Sequence, residues 1–213
     1  MMHIEEGHLS GQHHSTIPYT FFRHDNSHKL CIVFPGLGYT AQRPLLHYPT
    51  GLCAENGHDI LLVNYTYKDN AAFRELDEVS RNAWLQADGE AILSLLGETY
   101  TRITMISKSI GSIPMAHLAL HHLPEATRIW LTPLLPQDDV QQAIASKQSF
   151  AVISKEDPFF REDIWKAIEN SAATTLLFEG GDHSLETENV LETMDIHRSM
   201  MVHMQDFLKE QNL

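Results

Sequence analysis

Three short segments of this sequence carry residues suited to nucleophilic catalysis. The first is Ser107-Lys108-Ser109-Ile110-Gly111, a small-x-Ser-x-small pentapeptide between the apolar run Ile103 to Ile106 and apolar positions at helical spacing, Ile113, Ala116 and Leu120. Strand, sharp turn and helix are predicted in that order. A serine at such a turn is pushed into a strained backbone that lifts its Oγ clear of the sheet, and small residues on either side let strand and helix pack closely. The other segments are Lys155-Glu156-Asp157-Pro158 and Gly180-Gly181-Asp182-His183-Ser184. A serine hydroxyl is a weak nucleophile near neutral pH, and an imidazole can take its proton and later return it to a leaving group. A carboxylate behind that imidazole holds the right tautomer and stabilises the imidazolium. Ser109, His183 and Asp157 are therefore the candidates for nucleophile, base and orienting acid.

Each has a plainer reading. Ser109 could cap a helix, although a capping box wants Glu or Gln three residues on and that position is Ser112. Asp157 before Pro158 suits a helix N-cap with proline at the first helical position. Glu156 and Asp182 are lesser candidates for the acid, and His183 could be a solvated loop histidine.

The elements that must position these residues alternate along the chain. His14 to His24 is β-prone, with Pro18 arguing for an edge strand. Lys29 to Phe34 and Asp59 to Tyr65 read as buried strands, separated by a helix near Leu45 to Asn56. Glu75 to Gly97 fits one amphipathic helix. After the serine segment come a strand from Arg128, a helix over Gln137 to Lys147, a strand over Ser149 to Ser154, a helix over Phe160 to Ser171, a strand over Thr174 to Glu179, and one or two helices over Val190 to Lys209. This order predicts a single α/β domain over residues 1–213, a three-layer α/β/α sandwich around a mostly parallel, doubly wound sheet of about 6–7 strands. The three candidate segments then lie past the carboxyl ends of strands, where open α/β sheets place working residues.

Composition narrows the partners. With 28 acidic against 15 basic residues the formal charge is −13, which argues against nucleic acid or an anionic membrane as partner. The chain begins with no basic, apolar leader, and no apolar run approaches bilayer length. Cys31 and Cys53 are too few for a disulfide framework. A soluble, cytoplasmic protein is expected. The 14 histidines include the clusters His13-His14 and His117, His121, His122. His117 and His121 could share a helical face, but no carboxylate or cysteine accompanies them at a recognised ligand spacing, so a solvated or half-buried helix surface is expected and no metal.

The pentapeptide resembles the nucleophile elbow of the α/β-hydrolase superfamily, usually G-x-S-x-G, with Ser107 at the first glycine position. The order Ser109, Asp157, His183 is the order that superfamily uses. Its oxyanion donors are the amide after the nucleophile and one from the loop after an early strand, which implies Ile110 and Leu37. The loop Pro35-Gly36-Leu37-Gly38-Tyr39 is similar to the family's His-Gly-x-Gly loop, with Pro35 where histidine usually stands. Only 47 residues separate Ser109 from Asp157, too few for a cap domain. The resemblance therefore implies a small, uncapped serine hydrolase, similar to dienelactone-hydrolase-like proteins and carboxylesterases, acting on a small ester, thioester or lactone without cofactor. Tyr39, Arg43, His47, Tyr65 and Tyr67 follow strand ends and are candidates for the pocket lining, with a surface role as the alternative for Arg43. A non-catalytic binding scaffold on the same fold is the rival reading.

Overall fold

The computed structural model describes residues 2–12, 15–97 and 100–211. Among the described residues eight strands form one sheet in the order β1-β2-β4-β3-β5-β6-β7-β8. They are β1 (Met2–Ser10), β2 (Thr16–His24), β3 (Lys29–Phe34), β4 (Asp59–Val63), β5 (Arg102–Ser109), β6 (Thr127–Pro133), β7 (Ser149–Ser154) and β8 (Thr174–Phe178). β3 to β8 run parallel, and β2 is antiparallel to both of its neighbours. The chain passes from β3 outward to β4 and returns to β5 on the other side of β3, so the strand order reverses between β3 and β5. A crevice opens at such a switch point.

Helices α1 (Pro44–Glu55) and α7 (Val190–Glu210) cover one face; α3 (Glu78–Ile92), α4 (Ser112–His121), α5 (Asp138–Ile144) and α6 (Glu162–Glu169) cover the other, and α2 (Ala71–Glu75) is a short turn before α3. β3 shows why the parallel strands read as unbroken apolar runs. Leu30, Ile32 and Phe34 enter the core under α3 to α6, while Cys31 and Val33 enter the core under α1 and α7. Side chains alternate between faces, and both faces are dry. Cys31 and Cys53 are free and buried, and no described helix is long and apolar enough to cross a membrane.

Three expectations are corrected. The sheet exceeds the expected 6–7 strands because Met2–Ser10 pairs with β2 along its whole length. β1 is exposed over its first five residues and carries no apolar alternation, so pairing rather than patterning makes it a strand. β2 is consequently not the edge. Pro18 is tolerated because pairing with β4 begins at Tyr19, and the Pro18 carbonyl still accepts the Asn64 amide at 2.8 Å. The helix expected over Glu75 to Gly97 is α3 alone; Asp77 caps it by accepting the Ser80 amide, and a 3-10 turn at Leu93–Leu95 ends it. His13 and His14 lie outside the described residues.

Candidate active site

Ser109 is the last residue of β5 and sits at φ +54°, in the left-handed region that non-glycine residues rarely adopt. The register against β6 shifts between Lys108, paired with Leu131, and Ser109, paired with Pro133, so the strand is irregular where it delivers the serine. Gly111 is required by proximity: a Cβ there would collide with the Phe34 carbonyl oxygen and lie 2.8 Å from that of Pro35. That contact presses the turn against the start of the loop after β3. Gly111, with no side-chain cap, holds the N-cap position of α4, so Ser109 is not a helix cap. Ser107 is fully buried and its hydroxyl has no partner among the described residues, consistent with a position chosen for size.

His183 follows β8 and turns back over the sheet. Its Nε2 lies 2.7 Å from Ser109 Oγ and its Nδ1 2.7 Å from Asp157 Oδ2. Since an ionised carboxylate can only accept, Nδ1 carries the proton and Nε2 is left to accept the serine O–H. Asp157 is 3 % exposed, and its second oxygen accepts the Phe159 amide at 2.8 Å. This is a local Asx turn; α6 starts at Glu162 with Arg161 as N-cap, so Asp157 caps no helix. The other acids are engaged elsewhere or exposed: Asp182 Oδ1 accepts the Ser184 and Glu186 amides, and Glu156 faces solvent.

Two buried hydroxyls hold the histidine loop. Thr132 Oγ1 donates to the His183 carbonyl at 3.0 Å, and Ser154 Oγ donates to the Gly181 carbonyl. Thr132 has φ +45°, an outlier for a β-branched residue. The Phe159 ring lies 5.0 Å from the imidazole, tilted by 57°. Sequence spacing offered no sign of Thr132, because its partner is 51 residues away.

Lys108 was equally unmarked. It is 3 % exposed. Its side chain runs beneath the loop after β3, in space left free by Gly36, and its Nζ lies 4.8 Å from the Tyr39 ring centroid. Burial pushes the ammonium down to about 8, against the opposing pull of Asp157, Asp182 and Glu186. Leu37 is 51 % exposed and Ile110 8 %. Among the described residues neither amide donates to a backbone carbonyl in the turns and loops.

The expected pocket residues divide. Tyr39 is buried, accepts the Leu45 amide at 3.1 Å, and has its hydroxyl pushed up to about 12 by burial; it anchors the loop after β3 rather than lining a pocket. Arg43 is exposed over the same ring at the start of α1, as its surface alternative has it. Tyr65 and Tyr67 stack 4.5 Å apart in the aromatic cluster beneath Ile110 and Ile113, so packing takes both. His47 lines a groove of about 720 Å³ between α1 and α7, walled also by Pro44, Tyr48, Glu186, Met194 and Met201, and Ser109, Asp157 and His183 are not part of that wall. For the histidines of α4, the structure supplies a carboxylate that no sequence spacing showed, Glu90 of α3.

No protein-family model and no curated protein matches the sequence. Solved structures do match. A Xanthomonas campestris α/β serine hydrolase without a lid superposes with TM-score 0.67 at 12% identity, covering 96% of this chain and 94% of that one. A Pyrococcus furiosus esterase gives 0.68 at 11% identity over 98% and 91%. The α/β hydrolase domain-containing protein 10 from mouse gives 0.67 at 14% identity over 97% and 99%. The chain has the fold of the small, uncapped α/β hydrolases.

Proposed function

We propose that this protein is a serine hydrolase that cleaves a small carboxylic ester or thioester through an acyl-enzyme on Ser109. The observation that carries the reading is the continuous relay from Ser109 Oγ to His183 Nε2 and from His183 Nδ1 to the buried Asp157 carboxylate, 2.7 Å at each step. In this reading Ser109 Oγ attacks the acyl carbonyl as His183 takes its proton. The amides of Leu37 and Ile110 donate to the resulting oxyanion. The intermediate collapses, and His183 hands the proton to the departing alcohol or thiol. Water then repeats the sequence on the acyl-enzyme and restores the Ser109 hydroxyl. Asp157 keeps the imidazole in the receiving tautomer and offsets its charge while it is protonated. The route uses side chains, amides and water.

The likeness to a lid-less serine hydrolase and an esterase supports the same class. A fluorophosphonate probe tests it. Labelling that disappears in both Ser109→Ala and His183→Ala supports the enzyme, and absence of labelling supports a binding scaffold. A panel of p-nitrophenyl esters and thioesters of graded chain length then assigns the acyl group.

A further inference from the structure

At the end of α4 remote from Ser109, two imidazoles converge on one carboxylate oxygen. His117 Nε2 lies 2.7 Å and His122 Nε2 3.3 Å from Glu90 Oε1, and the three ligand atoms all fall within 4.8 Å of one another. The His121 ring is packed 4.8 Å from that of His117. We infer that Glu90, His117 and His122 form a binding site for a zinc-class divalent cation that ties α3 to α4, independent of the proposed hydrolytic centre.

The backbone presets the donors. A Cβ on Gly89 would lie 2.8 Å from Pro114 Cβ, so α3 and α4 approach closely at that point. Glu90 follows Gly89, and His117 stands one turn after Pro114, so the close approach delivers the carboxylate to the imidazoles. Two imidazoles and a carboxylate are a recognised zinc set, and tetrahedral bonds of about 2.0–2.1 Å place donors roughly 3.4 Å apart. The Glu90–His122 pair already has that spacing. The Glu90–His117 pair must open from hydrogen-bond distance, which Glu90 permits because its side chain is 48 % exposed, and the two imidazoles, within 4.8 Å of one another, must draw together around the ion. His121 or water can complete the shell. The site lies at the C-terminal end of α4, where free carbonyls favour a cation, on a chain whose formal charge of −13 does the same.

The test is calorimetric titration of chelator-treated full-length protein with Zn2+, together with Co2+ absorption and thermal melting. One equivalent bound at micromolar or tighter affinity, tetrahedral Co2+ bands and a Zn2+-dependent rise in melting temperature are expected in the wild type. His117→Ala/His122→Ala should weaken binding by about 100-fold or more and abolish the rise, with ester turnover unchanged. Glu90→Gln, on an exposed side chain, gives the same readout should the double variant fail to fold. Millimolar or weaker affinity in the wild type, or unchanged affinity in the variants, overturns the site.

Discussion

Ser109 combines the proposed bond-making atom with a left-handed backbone at φ +54°. The two demands separate by substitution. Ser109→Ala should lower kcat by on the order of 10⁴ or more at unchanged circular dichroism. Ser109→Gly should be equally inactive yet more stable by about 1 kcal/mol, because glycine adopts that backbone without strain; equilibrium urea unfolding reads the difference. Ser109, Asp157 and His183 could be picked out from the sequence because each follows closely on a strongly apolar strand, so local pattern located them. Lys108, Thr132 and Glu90 were hidden for the opposite reason. Their partners are Tyr39, the His183 carbonyl, and one histidine within α4 and another just past its end, all delivered by tertiary packing.

At the scale of elements, the ends of β6 and β7 hold the loop that presents His183. Thr132→Val keeps the β-branched shape and removes only the bond to the His183 carbonyl. It should lower kcat by about tenfold to a hundredfold with KM little changed, as expected when a reacting group loses its alignment; steady-state kinetics on an activated ester checks this. The junction of α1 and the sheet has its own titration. His58 is fully buried, with Nδ1 3.0 Å from the Cys53 carbonyl and Nε2 3.3 Å from Thr104 Oγ1. Burial pushes its pKa down to about 4, with Lys29 and Arg102 adding to the effect. Between pH 6.5 and 4 the unfolded chain takes up a proton that the folded one refuses, so stability falls as pH falls through that window, by up to about 3 kcal/mol. Urea midpoints should follow this slope, and His58→Gln should flatten it. The parallel strands were readable because burial on two faces leaves continuous apolar runs. β1 was not, because its exposed residues carry no pattern and only β2 defines it.

For the whole molecule, the segment between Ser109 and Asp157 is fully used by α4, β6, α5 and β7, which is why the absence of a cap could be read from chain length alone. The groove between α1 and α7 could not, since its walls come from opposite ends of the chain. The uncapped architecture reaches into kinetics. Ser109 is only partly buried and His183 retains 24 % side-chain exposure, so bulk solvent has direct entry to any acylated serine. The expected consequence is indiscriminate choice of acceptor. In mixed water and methanol, the ratio of acid to methyl ester released should track the concentration and nucleophilicity of the two, and should be the same for every leaving group that delivers a given acyl chain.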